Sequence, residues 1–461
     1  MKVSIWLYLF LIGLCPILLA QPIDKAATID WSESYSEPNN SFLSKIIHSD
    51  QTGFYALRVQ GLGNKQTKPN IFVEHYDKNK MRLKKSAELD LKFKNKRRDF
   101  EDVIVAGGNM YFLTSFNNQA KKKNYLFAQT VNKKTLRPSR KLQKISEVST
   151  RNLYQEGGFR HDLSKDTSKI LLYSSLPKKK RQPERFSLQV FDNQLTPLWE
   201  KEVQLPFNDE NFSVQEYKID NEGNVYMLGI IYEGGKKRKS TYQYVVLAYR
   251  DNGSAVEEYK VNLNKKFITD LTFRVDNKGD LIFSGFYSDQ GTYSVKGTYF
   301  FRLNPVTKEI YNKNLKAFDF KFLTEYLSDN KVEKAKKSAK KGKSPELYRY
   351  ALDDLILRSD GGAVLVAEQY YVERRNNNNY YNNGFGGIGG IGNIGFRNRS
   401  AFNNNLYVDE YEYYYNDIIV VNIQPNGEIE WTARIPKQQT TSNDGGYFCL
   451  LYTSPSPRDR G

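Results

Sequence analysis

The chain has 461 residues, a formal net charge of +17, 39% apolar residues and a mean hydropathy of −0.65. That length admits one large repeat domain or several small ones, and the low hydropathy excludes a bundle of membrane helices. Abundant Tyr (33) and Phe (27) suit half-buried pleated surfaces.

Residues 1–20 read as a secretory signal. Lys2 supplies the positive start, Ile5 to Leu14 the apolar run, and Leu18-Leu19-Ala20 a cleavage site before Gln21. Cys15 follows Leu14, where a lipoprotein box needs Gly or Ala, so cleavage to a soluble form is expected rather than a lipid anchor. The expected location is periplasmic, outer-surface or extracellular, and no later segment is expected to span a membrane. Ala27 to Tyr35 (ATIDWSESY) resembles EIEWTARIP at Glu428 to Pro436 and reads as a fourth strand lacking its own sheet.

From residue 42 the chain repeats itself. Residues 212–263 read FSVQEYKIDNEGNVYMLGIIYEGG, a basic loop KKRKS, then TYQYVVLAYRDNGSAVEEYKVNL. These are four short alternating runs, the period of a strand. NEGN, NKGD, DNG and PNG supply the residues that tight antiparallel turns need. Aligning the first turn of each unit places Thr52, Gly108, Ser168, Gly223, Gly279, Gly362 and Gly446 together, at steps of 56, 60, 55, 56, 83 and 84 residues. A repeat of this length with four strands predicts an all-β fold, a β-propeller of four-stranded antiparallel blades. The propeller is expected over 21–448, with blades at 42–91, 100–146, 152–205, 212–263, 268–318 and 348–436 and a seventh begun from 439. Seven blades is the count expected of the natural protein.

Two insertions account for the long steps. The stretch 319–347 opens with FKFLTEYL, read as a short helix, and continues into a lysine-rich joining loop, Lys331 to Lys343. The stretch 374–405 is Asn/Gly-rich and cannot pack a core. At the C-terminus, Cys449 to Asp459 (CLLYTSPSPRD) resembles the translated end of a sequencing-library adapter, so 449–461 reads as a non-native tail. With Cys15 in the signal and Cys449 in that tail, no disulfide is expected.

The D-N-x-G-[ND]-hydrophobic hairpins and the four-strand period resemble those of secreted bacterial β-propeller repeat proteins. The resemblance implies a fold, and function does not follow from it.

Basic residues recur in the loop between the second and third strands. They are Lys121, Lys122 and Lys123 in the second unit, Lys178, Lys179, Lys180 and Arg181 in the third, Lys236, Lys237, Arg238 and Lys239 in the fourth, and Arg374 and Arg375 in the sixth. A propeller gathers these loops on one rim, where summed positive charge would attract an anionic polymer or an acidic protein. The plain alternative is that the lysines keep loop tips hydrated. The DNEGN and DNKGD turns lack the spaced ligands of a calcium loop and read as turns. His48, His75 and His161 show no ligand spacing. Asp353-Asp354 and Asp409-Glu410 are adjacent carboxylates, and neighbours in a strand point to opposite faces, which argues against a shared acid–base site within either pair.

No catalytic, cofactor or metal residue is assigned on this basis. The expected function is a non-catalytic exported binding or scaffold propeller engaging an anionic envelope or extracellular partner through the basic face. The alternatives are a glycan-active hydrolase or lyase with carboxylates in the channel, and a structural component of an envelope assembly. Two or more carboxylates converging at the channel mouth with raised pKa values would mark the enzyme, and a channel lined by apolar and small residues would count against it.

Overall fold

A computed structural model describes residues 36, 38–61, 69–93, 96–150, 158–177, 182–208, 211–232, 242–263, 266–291, 293–375 and 410–442. The expected signal, the strand at 27–35 and the tail at 449–461 lie outside the described residues, as do Asn376 to Asp409 and everything after Ser442. The chain is all-β, with six four-stranded antiparallel sheets of the propeller type. Among the described residues no helix is long and apolar enough to cross a membrane.

The chain divides into two units. The first carries one blade, with strands Ser41–Asp50, Gly53–Gln60, Asn70–Asp77 and Leu83–Glu88. Its interior holds a polar cluster. Arg58 Nε donates to Glu74 Oε1 and Oε2, both at 3.0 Å, and the Tyr76 hydroxyl donates to Glu74 Oε2 at 2.6 Å. Both charges are buried together, which is how an interior tolerates them.

The second unit carries the other five blades. Their first strands are Asp99–Ala106, Phe159–Leu163, Phe212–Ile219, Phe267–Val275 and Tyr350–Leu357. Sequence explains the order within a blade. A central strand is covered on both faces and so reads as nearly unbroken apolar residues: Leu281–Ser288 (LIFSGFYS) is buried at every position. A fourth strand is an edge, and Pro197–Asn208 alternates buried and exposed with its charges outward. The turns use the expected chemistry. Asp251, Asn252 and Gly253 all take positive φ (52°, 56° and 78°). Asp220 Oδ1 accepts from the backbone N–H of Glu222 (2.9 Å) and Asn224 (2.8 Å), so its carboxylate is spent on its own turn.

The core lies between blades. One layer joins the second and third blades, the next the third and fourth, then the fourth and fifth, and the last the fifth and sixth. Rings fill these layers, as where Phe283 stacks on Phe273 (5.6 Å between centroids) and Phe301 (4.7 Å). The layers hold the first strands side by side. Those of the third and fourth blades touch, as do those of the fourth and fifth and of the fifth and sixth.

The connector into the sixth blade forms two helices. Helix α1, Phe320–Thr324, is capped by Asp319 and buries Phe322 and Leu323 against the last core layer. Helix α2, Asp329–Ala339, occupies part of the stretch read from sequence as a lysine-rich loop. Ala, Lys and Glu are good helix formers, and Asp329 in the first turn suits the helix dipole. In the sixth blade the second and third strands are long, Ala363–Arg375 and Glu410–Ile423. The segment from 439 on forms a strand, Gln439–Ser442, that pairs with Glu412–Tyr415 of this same blade.

Candidate active site

The first strands are where the chain places chemistry. In the second unit four of the five contain a register slip, between Phe100 and Asp102, Val214 and Glu216, Ile268 and Asp270, and Leu352 and Asp354. Each time the residue after the slip is acidic. A bulge re-aims the side chains beside it, so the device that breaks the ladder also sets a carboxylate. The third blade has no slip and contributes Asp162.

These groups form a belt of alternating charge. Lys218 Nζ lies 3.2 Å from Asp162 Oδ1 of the third blade and 3.1 Å from Glu216 Oε1 of its own. Arg274 of the fifth blade then bridges Glu216 Oε1 (2.8 Å) and Asp354 Oδ1 of the sixth (2.5 Å). Asp270 Oδ2 accepts from the backbone N–H of Leu352 at 2.9 Å, tying the fifth blade to the sixth a second time. Further round, His161 Nε2 stands 3.2 Å from Asp102 Oδ2.

Their protonation states are pushed apart. Burial opposes charge on Glu216, yet Lys218 and Arg274 outweigh it and hold its carboxyl below the usual range. Burial also works against Lys218, but Asp162 and Glu216 keep it charged. Asp270 goes the other way: burial pushes it up to about 7, against two backbone hydrogen bonds and with help from the nearby Glu216 charge. Asp353 is likewise pushed up to about 7, first by burial and then by the charge of Glu368, opposed by Lys437. Glu101, the extra residue at the slip in the second blade, rises to about 7 by burial although Ser115 donates to it at 2.5 Å.

Asp353 differs from the rest. Its residue is exposed, yet the protein around it and the nearby charge of Glu368 disfavour its own charge. Among the described residues nothing hydrogen-bonds its carboxyl. Asp354, beside it, is half exposed and paired to Arg274. The slip falls on Asp353 and interrupts the strict alternation of faces at this pair.

The basic rim is only partly in view. Lys121 and Lys122 are exposed at the tip of the second-blade hairpin, while Lys123 opens its third strand and is 2.5 Å from Glu147 Oε1. Lys178 to Arg181 and Lys236 to Lys239 lie outside the described residues. Arg374 and Arg375 end the second strand of the sixth blade. Sequence reasoning passed over Asp162, Glu216, Lys218, Asp270 and Arg274. A signal was present, since an acid stands fourth or fifth in the first strand of five successive units: DFED, FRHD, FSVQE, FITD and YALDD.

No protein-family model matches the chain, and no curated protein matches it. Solved structures do. Prolyl oligopeptidase B from Galerina marginata is similar at 10% identity and a TM-score of 0.35, over 71% of this chain and 39% of that one. The chain thus spans about two fifths of that peptidase's length. The α-L-arabinanase of Penicillium chrysogenum is similar at 11% identity and a TM-score of 0.34, over 72% of this chain and 91% of the other. Polysaccharide lyase Uly1 is similar at 9% identity and a TM-score of 0.35, over 90% and 93%. At such identities the likeness is one of fold. These structures are enzymes, and the expectation of a non-catalytic binding or scaffold propeller is corrected on that finding. Asp270 and Asp353 are both raised, and the charge of Asp270 is one of those that act on Asp353.

Proposed function

We propose that the chain is a glycan-active enzyme that breaks a glycosidic bond by acid–base catalysis at the first strands of the fifth and sixth blades. One observation carries this reading: Asp353 is an exposed residue whose unpaired carboxyl is pushed up to about 7 beside an ion-paired one, Asp354. Glycoside cleavage needs that division of labour, one carboxyl holding a proton and one without it.

In this reading Asp353 gives its proton to the leaving oxygen. Asp354, charged and aimed by Arg274, takes a proton from the attacking water or from the sugar carbon. Asp270 positions the pair by holding the Leu352 N–H, one residue before Asp353. Glu216 pairs with both Lys218 and Arg274, and Lys218 with Asp162 as well, so the part of Glu216 is to fix the guanidinium.

The test is a panel of polysaccharides assayed for new reducing ends and, by ultraviolet absorbance, for unsaturated ends. The first product indicates hydrolysis, the second elimination. Asp353→Asn and Asp354→Asn should each lower kcat by about 10²–10⁴-fold on whichever glycan is cut. Full activity in both variants would overturn the assignment.

A further inference from the structure

The belt does not use the most strongly charged element of the molecule. Residues 331–343 contain seven lysines against one glutamate, and the run overlaps α2, Asp329–Ala339, up to Ala339. All seven lysines are exposed. Among the described residues only Lys336 of the seven makes an ion pair, with Glu333 at 2.8 Å.

Like charges three and four residues apart on a helix repel. Lys331 and Lys334, and Lys334 and Lys337, stand in that relation, as do Lys336 and the C-cap Lys340. The helix therefore carries a standing cost that an anionic ligand would relieve. It is also firmly mounted. Upstream, α1 is sunk in the core. Downstream, Gln290 Nε2 donates to the Ser344 carbonyl at 2.9 Å, Lys296 bonds the Ser344 hydroxyl, and the Ser288 hydroxyl donates to Glu346 Oε2 at 2.5 Å. Leu347–Tyr348 then pairs with Ser294–Val295. A charged arm fixed at both ends presents its lysines in one place instead of sweeping solvent.

The placement links this arm to the belt. The connector that carries α2 runs directly into the strand Tyr350–Leu357. Asp353 is three residues inside that strand, about 10 Å along it at strand rise. The chain that leaves the lysine run thus enters this strand at its Tyr350 end, ahead of the carboxyls.

We infer that α2 is a polyanion-binding arm and that the glycan brought to Asp353 is an acidic polysaccharide. The second half of this inference rests on the enzyme reading above. Two features favour a polysaccharide over other polyanions. The helix has no aromatic residue on which a nucleic acid base could stack. Its few apolar residues, Val332, Ala335 and Ala339, are the half-covered ones, leaving no apolar face to enter a membrane.

The experiment uses the full chain and polygalacturonate as the probe, in affinity electrophoresis with neutral dextran as reference. Retardation by polygalacturonate alone is expected, and it should fall as salt is added. The variant K334Q/K337Q/K340Q/K341Q keeps helix propensity, because Gln and Lys are nearly equal, and circular dichroism checks its fold. Its affinity should drop by about tenfold or more. Unchanged affinity in that variant would overturn the arm, as would tighter binding of duplex DNA or of anionic vesicles than of polygalacturonate. Asp353→Asn should bind like the parent. Binding without any cleavage would support the arm and remove the enzyme reading. Cleavage of a neutral glycan at equal rates by parent and quadruple variant would do the reverse.

Discussion

Lys437 and Glu368 form an ion pair inside the sixth blade, with side chains only 3% and 2% exposed. Glu368 lies on the second strand and Lys437 follows the fourth, so the pair ties the chain leaving the blade back to its second strand. Two charges removed from water survive there because each answers the other. Both also act on Asp353, Glu368 raising its pKa and Lys437 lowering it.

Removing one partner should therefore be costly. Lys437→Met strands a buried carboxylate and is expected to lose about 3–5 kcal/mol of stability, read as a lower urea midpoint. The double variant Lys437→Met with Glu368→Met should recover most of that loss. If the double variant is no more stable than the single one, the pair is not what holds this corner.

The same pair sets a pH dependence. A proton donor must be protonated, so kcat/KM should fall as pH rises through about 7, the region to which Asp353 is pushed. In the double variant the charge of Glu368, which favours the protonated form, and the charge of Lys437, which opposes it, vanish together. The alkaline limb should then stay close to that of the parent. In Lys437→Met alone it should move to higher pH. A pH–rate series on the three proteins separates these cases.

Asp270 bears on stability. Its folded pKa lies at about 7, above the 3.8 of a free aspartate. A raised acid binds its proton more tightly when folded, so its contribution is complete below about pH 4 and is lost as pH rises through about 7. Melting temperature should therefore decline between about pH 5 and about pH 8. Asp270→Asn should flatten that slope, even though its amide nitrogen cannot accept the Leu352 N–H and its absolute stability falls. An equally steep slope in the variant would show that other groups cause the decline.

Gly285 is fixed by what approaches it. A Cβ there would lie 2.1 Å from the Asp270 carbonyl oxygen and 2.7 Å from the Tyr299 hydroxyl oxygen. Gly285→Ala must push the backbone of Asp270 away, at a cost of about 1–3 kcal/mol. It should lower activity along with stability, because Asp270 holds the strand that carries Asp353. Chemical denaturation and the glycan assay together check both.

Much of this molecule could be read in advance. Alternating runs and Asp/Asn/Gly turns are local signals, and they sufficed for six four-stranded sheets, since an antiparallel blade is built from neighbours in sequence. The belt was hidden because it is not local. Asp162, Glu216, Asp270 and Asp354 are 54 or more residues apart from one another, and each looks like an ordinary strand acid in its own unit. For Glu216, Asp270 and Asp354 a register slip re-aims the strand beside them, and a slip has no composition. At Asp353 and Asp354 period-two reasoning assumes an unbroken ladder, which the slip interrupts. The lysine runs drew notice for the opposite reason: they are local and dense, yet Lys123 and Lys336 prove to be paired with Glu147 and Glu333.

Building the belt from single contributions by successive repeats has a consequence for how such a chain can diverge. Duplicating one blade copies one member of the set and never the whole constellation, so new specificity cannot arise by shuffling a self-contained cassette. It must come from point changes within individual units, and an inserted unit would respace the group between its neighbours rather than double it.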